Sequence, residues 1–213
     1  MTSAPARSTD SLTDVVVVRR LGMADYVPTW EAMRRFTDTR SDETPAELWL
    51  LDHPPVYTLG LNDRREPFVN PAGIPVVASD RGGQITYHGP GQLVVYTLMD
   101  LRRRGWGVKP LVQALEQSVI DYLAGRGIEA ERRTGMPGVY VQGRKLAQLG
   151  LRVRRGGSYH GLAFNVAMDL APFRRIKPCG YTGLETTDLA SLMDGLPVTL
   201  PEVESGLLPH LLR

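Results

Sequence analysis

Residues 138 to 167, GVYVQGRKLAQLGLRVRRGGSYHGLAFNVA, contain three strand patterns in close succession. Gly138 to Val141, Leu146 to Val153 and Gly161 to Ala167 are short runs rich in apolar residues, as expected for strands. Gln142, Gly143 and Arg144 join the first two runs and suit a hairpin turn. The sequence therefore predicts an antiparallel sheet in this half of the chain.

The residues before this stretch alternate between strand and helix patterns. A strand is predicted at each of four places: Val15 to Arg19, Glu47 to Leu51, Val76 to Ala78 and Leu93 to Leu98. Loops are expected around HPPVYTLG and NPAGIP, which are marked by proline and glycine.

Helices are predicted in three segments. Tyr26 to Phe36 places one apolar face on Tyr26, Val27, Trp30, Met33 and Phe36. The strongest pattern runs from Lys109 to Leu123, with Pro110 in its first turn and Gly125 after its end. Its apolar side consists of Leu111, Val112, Leu115, Val119 and Tyr122. Pro201 to Leu212 is weakly helical, and Gly206 and Pro209 are expected to interrupt it.

Length and composition limit the class of protein. The 213 residues fit one domain, expected over residues 14 to 213, after a disordered lead at residues 1 to 13. The single cysteine excludes an intrachain disulfide and suits the cytoplasm. No signal peptide or membrane-spanning run is evident. A net charge of +2 argues against a strongly basic nucleic-acid protein.

Four groups of basic residues nevertheless stand close together: Arg102 to Arg104, Arg132 with Arg133, Arg152 with Arg154 and Arg155, and Arg174 with Arg175 and Lys177. They are either ordinary solvated faces or a docking surface for an acidic protein. No interleaved aromatic residues, zinc-finger pattern or RNP-like motif favours nucleic acid.

Three segments carry unusual chemistry. Residues 81 to 92, RGGQITYHGPGQ, combine glycines with Arg, Tyr and His, which indicates either a ligand-binding loop or a structural turn. No phosphate-loop pattern is present. Lys145 begins an apolar strand, where a solvated surface position is the alternative. Cys179 lies in a Pro-Cys-Gly turn, an exposed setting for the chain's one thiol.

A thiol with an ordinary pKa of about 8.5 is mostly protonated at neutral pH, so a nucleophilic cysteine needs a base or a cation nearby. His88 and His160 are candidates, and so is Lys145, because an ammonium at about 4 Å favours the thiolate. His53 and His210 look structural. One cysteine and four scattered histidines do not form a metal site.

Together, RGGQITYHGPGQ, GRKLAQLGLRVRRGGSYHGLAFNV and IKPCGYTGLE resemble the lipoyl(octanoyl) transferase family, over roughly residues 45 to 192. The resemblance implies an α+β fold, with a mixed, largely antiparallel sheet packed by helices, similar to the catalytic domain of biotin and lipoate protein ligases. It also implies transfer of an octanoyl group from octanoyl-acyl carrier protein to a lysine of lipoyl domains, the first step of protein lipoylation.

The same resemblance implies roles for single residues. Cys179 would carry the acyl group as a thioester, and Lys145 would lower the thiol pKa. The implied substrate site consists of Arg81, Gly82, Gly83, Gln84, Ile85, Thr86, Tyr87, His88, Gln148, Leu149, Gly150, His160, Gly161, Leu162 and Ala163. His160 is expected to bond a main-chain group and hold the glycine loop. Gln148 departs from the small residue, Ser or Ala, that family members carry there.

The resemblance implies no metal and no cofactor beyond the octanoyl-4'-phosphopantetheine of the acyl donor. The implied partners are acyl carrier protein and the lipoyl domains of E2 subunits and H protein, with a monomeric enzyme acting on them. Two alternatives remain open. One is an ATP-dependent lipoate or biotin protein ligase, whose chemistry needs no cysteine. The other is a non-catalytic module that binds acylated carrier proteins.

Overall fold

The computed structural model of the chain describes residues 15–62, 70, 72–176, 184–193 and 196–213. The expected disordered lead at residues 1 to 13 lies outside these ranges, and so does Cys179. Within the described ranges, no helix has the length and apolar character needed to cross a bilayer.

Strands and helices alternate in the first half, and strands follow one another in the second. The described strands are β1 (Val16–Met23), β2 (Ala46–Asp52), β3 (Val56–Leu59), β4 (Val76–Ala78), β5 (Thr86–His88), β6 (Gln92–Leu98), β7 (Glu131–Arg133), β8 (Met136–Val141), β9 (Arg144–Arg154) and β10 (Gly157–Asn165). The described α-helices are α1 (Tyr26–Thr39), α2 (Val108–Ala124), α3 (Leu189–Leu192) and α4 (Leu200–Leu211), and a 3-10 helix covers Ala171–Arg175.

Seven of the described strands form the main sheet, in the order β1-β2-β6-β10-β9-β8-β7. Only β1 and β2 pair in parallel there, while the other neighbours are antiparallel. The predicted hairpin is present, but Arg144 already belongs to β9, so the turn consists of Gln142 and Gly143, which have positive φ values of 50° and 81°. Such values suit the tight turn that joins two twisted strands.

The main sheet is covered on both faces, which explains why its central strands β2, β6 and β10 are buried at nearly every position. On β2 and β6, Leu48, Leu50, Leu93 and Val95 belong to the core cluster that also contains the buried apolar residues of α2 and α4. Their neighbours in the sequence point the other way and pack with Met33 of α1. Because side chains alternate along a strand, two cores form on one sheet.

A smaller described sheet, in the order β4-β3-β5, lies beside the main one. Tyr57 of β3 and Tyr87 of β5 pack with Phe173 and Ile176 near the 3-10 helix. The loop before β5 is tied to the main sheet, because the amide of Gly82 donates to the carbonyl oxygen of Leu151 at 2.9 Å. This contact brings the glycine-rich segment against β9.

The predicted strands and the two long helices are confirmed, with a few corrections. The segment HPPVYTLG is not only a loop, because it contains β3, whose β-prone residues Val56 to Leu59 follow two prolines. Val27 is exposed, since the buried side of α1 consists of Tyr26, Thr29, Met33 and Thr37. The last strand of the triple begins at Gly157, earlier than predicted.

The expected interruption of the C-terminal helix is wrong, since α4 is continuous from Leu200 to Leu211. A capping box between Thr199 and Glu202 begins it. Burial of Val203 and Leu207 against the α2 side of the sheet supplies more stabilisation than Gly206 and Pro209 remove. Tertiary packing thus overrides weak local helix propensity here.

Candidate active site

A cavity opens on the α1 side of the main sheet, between β6, β9, β10 and the loop that leads into β5. It contains about 590 Å³ of empty space, its open mouth included. The lining residues are Tyr26, Arg81, Gly83, Gln84, Ile85, Thr86, His88, Val94, Tyr96, Lys145, Gln148, Leu149, Gly150, His160, Gly161, Leu162 and Ala163.

Lys145 and Gln148 both line this cavity, although they are three positions apart on one strand. In a regular strand, such residues point to opposite faces. The pairing of β8 with β9 shifts by one residue here, because Ala147 lies opposite Val139 whereas Lys145 lies opposite Tyr140. Leu146 is the extra residue, and it joins Ala147 in the core under α2. The irregularity therefore turns both polar side chains into the cavity.

Lys145 is a buried residue with only 2% of its surface exposed, so the solvated alternative is wrong. Its ammonium nitrogen lies 5.4 Å from the centre of the Tyr140 ring, a cation–π distance. The side chain passes over Gly138, where an added Cβ would lie 2.5 Å from Lys145 Cε. The Gly138 amide in turn donates to Glu116 of α2 at 2.9 Å. These contacts fix the position of the Lys145 side chain.

The backbone of Lys145 is bonded to the segment that follows Cys179 in the sequence. The Lys145 amide donates to the Glu185 carbonyl oxygen at 2.8 Å, and the Thr187 amide donates to the Lys145 carbonyl oxygen at 2.9 Å. Asn165 of β10 also donates to the Thr187 carbonyl oxygen, at 3.0 Å. The described chain thus resumes beside the lysine, while the predicted nucleophile itself lies outside the described residues.

The glycine-rich loop is held by Arg81, which is buried. The guanidinium donates to the hydroxyl of Thr58 at 2.9 Å, to the Thr58 carbonyl oxygen at 2.5 Å and to the Gly82 carbonyl oxygen at 3.0 Å. An added Cβ at Gly60 would lie 2.1 Å from the Gly83 carbonyl oxygen, so the two chain segments touch. Glycine is required for this close approach.

His160 bonds the side chain of Asp80, not the main-chain group that was expected. Its Nε2 lies 3.1 Å from Asp80 Oδ1, which also accepts a hydrogen bond from Trp30 at 2.8 Å. Tyr159 donates to the other carboxylate oxygen. Burial raises the pKa of Asp80, but the hydrogen bonds from His160, Tyr159 and Trp30 outweigh it and hold the pKa well below its ordinary value. Asp80 therefore remains an acceptor.

This anchor supports an unusual backbone conformation, since His160 has a φ of +60° within β10. Positive φ is uncommon for residues other than glycine and is tolerated where the surroundings enforce it. Burial lowers the pKa of His160, while Asp80 opposes the change. His160 is thus a neutral ring that donates through Nε2 to the carboxylate.

Two further histidines form a buried polar network at the cavity. His53 Nδ1 donates to the Ala24 carbonyl oxygen at 2.5 Å, and Tyr96 lies 2.7 Å from its Nε2. Burial lowers the pKa of His53 to about 4. His88 Nδ1 lies 2.7 Å from Gln92 Oε1, and burial again lowers the pKa of its ring. Both histidines are therefore neutral near pH 7.

Most of the residues predicted for the substrate site do line the cavity. The exceptions are Gly82, whose backbone bonds β9, and Tyr87, whose ring packs with Tyr57 and Phe173. Tyr26, Val94 and Tyr96 also line the cavity but are not among the site residues predicted from the sequence. Their patterns were those of core residues, so no local signal distinguished them; only the packing of α1 and β6 around the cavity does.

Some arginines of the four basic groups form ion pairs within the chain, and others are exposed to solvent. Arg132 pairs with Glu116 at 3.2 Å and Arg154 with Asp38 at 2.6 Å, so part of their charge is used within the chain. Over the described ranges, no three His, Cys, Asp or Glu side chains cluster as metal ligands would.

Comparison with known proteins supports one family. Residues 25–212 match the family model described as the lipoyl protein ligase A/B catalytic domain. An octanoyltransferase from Alkalilimnicola ehrlichii is 60% identical over 202 residues, which is 95% of this chain and 93% of that protein. An octanoyltransferase from Aromatoleum aromaticum is 64% identical over 174 residues, which is 82% of this chain and 75% of that protein.

Solved structures confirm the predicted fold. A putative lipoate protein ligase from T. acidophilum, with bound lipoic acid, superposes with a TM-score of 0.72 at 15% identity, covering 92% of this chain and 84% of that one. Biotin protein ligase from Aquifex aeolicus superposes with a TM-score of 0.51 at 14% identity, covering 92% and 66%. At such identities the likeness concerns the fold alone.

Proposed function

This chain belongs to the lipoyl protein ligase A/B catalytic domain family, and from that membership we propose that it transfers an octanoyl group from acyl carrier protein to a lysine of lipoyl domains through a thioester on Cys179. The observation that carries the proposal is the octanoyltransferase name of relatives 60% and 64% identical to it. The reaction is the first step of protein lipoylation.

The cavity supports this chemistry by its lining. Val94, Leu149, Leu162 and Ala163 give it apolar walls that suit an alkyl chain, and Lys145 brings a basic group to the same space. Each buried methylene contributes about 0.8 kcal/mol, so such walls favour a chain of several carbons but separate neighbouring lengths weakly.

The chain connectivity allows Cys179 to reach the lysine. Glu185, six positions after Cys179, bonds the Lys145 amide, and six residues span at most about 22 Å. On the other side, Ile176 is buried against Tyr57 and Phe173. The described residues that flank the Pro-Cys-Gly segment therefore support the proposed proximity of the thiol and the ammonium.

In the first half-reaction, the Cys179 thiolate attacks the carrier thioester. A bond forms between Sγ and the carbonyl carbon, and the tetrahedral oxyanion then expels the carrier thiolate. Lys145 stabilises the attacking thiolate and gives a proton to the leaving sulfur. The neighbouring amides of Leu149 and Gly150 at the cavity, or those of Cys179 and Gly180, are the proposed oxyanion donors.

In the second half-reaction, the ε-amine of a lipoyl-domain lysine attacks the acyl-Cys179 carbonyl carbon. The amine must lose a proton, which Lys145, neutral after the first half-reaction, accepts. The tetrahedral intermediate collapses to the amide and releases the Cys179 thiolate. Atoms and charges then return to their starting state, and no cofactor is consumed.

Acyl carrier protein and the lipoyl domains of E2 subunits and H protein are the proposed partners, met in the cytoplasm by a monomeric enzyme. The exposed arginines Arg102 and Arg104 suit an acidic carrier, because clustered cations steer such partners.

Mass spectrometry of the intact protein tests the covalent step. After incubation with octanoyl-acyl carrier protein, we expect an adduct of one octanoyl group that maps to Cys179. Cys179→Ser should give no thioester adduct and no octanoylated lipoyl domain. An adduct that persists in Cys179→Ser, or transfer without any adduct site, would contradict the proposal.

Lys145→Met tests the role of the lysine, because methionine nearly keeps the length of the side chain and removes the charge. Loss of the ammonium should move the labelling of Cys179 by a thiol-directed alkylator to higher pH. An unchanged pH profile of labelling would refute the pairing. The wild-type protein and Lys109→Met, an exposed replacement on α2, serve as references.

An ATP-dependent ligase shares the fold but would activate the acyl acid as an adenylate. Exchange of labelled pyrophosphate into ATP in the presence of octanoate would identify it. The absence of exchange, together with octanoyl transfer from the carrier, favours the transferase. Octanoyl transfer to a lipoyl domain would also exclude a non-catalytic module that only binds carriers.

A further inference from the structure

The side chain of Gln148 is buried and lacks hydrogen-bond partners among the described residues. Only 8% of the residue surface is exposed, and neither Nε2 nor Oε1 has a partner there. Buried amides are nearly always hydrogen-bonded, because an unsatisfied one loses the bonds that water would make. A primary amide left in this state indicates that a further molecule completes its bonding.

Most other polar side chains of the cavity already have partners. His88 bonds Gln92, His160 bonds Asp80, Tyr96 bonds His53, and Arg81 bonds Thr58. These groups are fixed by the fold. Thr86 Oγ1, by contrast, is also without a described partner. The cavity thus keeps unfilled hydrogen-bonding capacity for a polar atom of a ligand.

The shift in pairing between β8 and β9 puts Gln148 on the same side as Lys145. Val94, Leu149 and Ala163 form apolar parts of the same lining. A ligand that fits this arrangement has an alkyl tail and one polar end near the lysine. An acyl thioester meets that description, since its carbonyl oxygen is the polar atom next to the alkyl chain.

We propose that Gln148 Nε2 donates a hydrogen bond to the carbonyl oxygen of the acyl thioester and holds it through the tetrahedral oxyanion. The proposal rests on the octanoyl transfer proposed above and names a side-chain donor in addition to the backbone amides. Because negative charge develops on this oxygen, the hydrogen bond strengthens in the transition state. Gln148 therefore acts on the turnover number more than on substrate affinity.

Gln148→Met tests the proposal, because methionine nearly conserves the volume and removes both amide atoms. We expect kcat for octanoyl transfer to fall by at least about tenfold, with KM little changed. Removal of an unpartnered buried amide should leave the Tm equal or higher. A purely structural role for Gln148 would instead lower the Tm.

Two matched replacements complete the design. Gln113→Met lies on an exposed position of α2 and should leave both kcat and Tm unchanged. Gln92→Met removes a buried amide that is fully engaged, with Asn165 Oδ1 at 3.0 Å and His88 Nδ1 at 2.7 Å, and should lower the Tm. The contrast between Gln92 and Gln148 separates a structural amide from one that serves a ligand.

The outcomes are distinct. If wild type transfers octanoyl groups and Gln148→Met retains kcat, the role of Gln148 is refuted. If Gln148→Met loses Tm as Gln92→Met does, the amide is structural and the proposal is likewise overturned. If wild type transfers no octanoyl group, the proposed function fails first, and this inference fails with it.

Discussion

Gly138 shows how one residue controls the position of Lys145. Its φ of +145° lies outside the regions that other residues adopt readily. An added Cβ would also lie 2.5 Å from Lys145 Cε and 2.7 Å from the Ala147 carbonyl oxygen. The absence of a side chain therefore makes room for the buried lysine to cross the strand.

Gly138→Ala should accordingly destabilise the protein and displace the lysine. Backbone strain alone costs about 1–3 kcal/mol, and the steric overlap adds to it. Misplacement of a reacting group by about 1 Å costs up to about 100-fold in rate. Urea unfolding and the octanoyl-transfer rate measure the two effects.

Gly105→Ala is the matched control, because Gly105 has a φ of +63° but no atom within 4 Å of an added Cβ. The substitution should lower the free energy of unfolding only through the left-handed backbone conformation, by about 1–2 kcal/mol. It should leave the octanoyl-transfer rate unchanged. Equal losses of stability and rate in the two variants would contradict the steric explanation.

At the level of elements, packing on α2 stabilises α4 more than its own helix propensity does. Tyr122 of α2 is fully buried, and an added Cβ at Gly206 would lie 2.8 Å from its Cε2. Arg126 covers the same ring, with its guanidinium carbon 3.7 Å from the centroid. The glycine that weakens the helix locally is thus what lets the two helices approach.

Gly206→Ala should therefore lower the stability, although alanine is the better helix former. The gain in helix propensity is about 1 kcal/mol, whereas overpacking against a buried ring costs about 1–3 kcal/mol. We expect a lower Tm for Gly206→Ala and a slightly higher one for the exposed neighbour Ser205→Ala. A rise in Tm for both variants would show that α2 and α4 accommodate the added methyl group at position 206, and it would contradict the steric explanation.

At the scale of the whole molecule, three buried histidines connect the main sheet with the small sheet. His53 follows β2, His88 ends β5 in the small sheet, and His160 lies in β10. The rings of His53 and His88 are 5.7 Å apart, and Tyr96 contacts both His53 and His160. Burial is the main cause that lowers the pKa of each of the three rings.

The free energy of unfolding should therefore fall as the solution becomes acidic. Each folded-state pKa lies below the unfolded value of 6.5, so below this pH the unfolded chain binds more protons than the native one. Each histidine contributes at most about 1.4 kcal/mol per pH unit, between pH 6.5 and its own folded-state pKa, which is about 4 for His53.

Urea denaturation at about pH 7.5 and about pH 5 measures this dependence. Asp80 does not contribute in that window, since its pKa is held below its ordinary value of 3.8 and its stabilisation is lost only at lower pH. His53→Gln should reduce the slope, because it removes one titrating ring. Equal stability of the wild-type protein at the two pH values would contradict the assignment.

The amino-acid sequence predicts every strand of the main sheet except β7, the two long helices, the family and most of the cavity residues. The periodicities of strands and helices are local features of the sequence, so they predict these elements directly. RGGQITYHGPGQ and GRKLAQLG are long enough to indicate the family and the cavity residues. The strand in HPPVYTLG and the continuous α4 were not predicted, since their stability comes from distant partners.

The tertiary structure alone explains how Lys145 and Gln148 come to face the same cavity. A period of two would separate Lys145 from Gln148, and only the pairing of β9 with β8 reveals the extra residue that unites them. Likewise, the bond between His160 and Asp80 joins residues 80 positions apart. Local sequence does not predict such contacts, because they form only when the packed sheet brings segments that are distant in the sequence together.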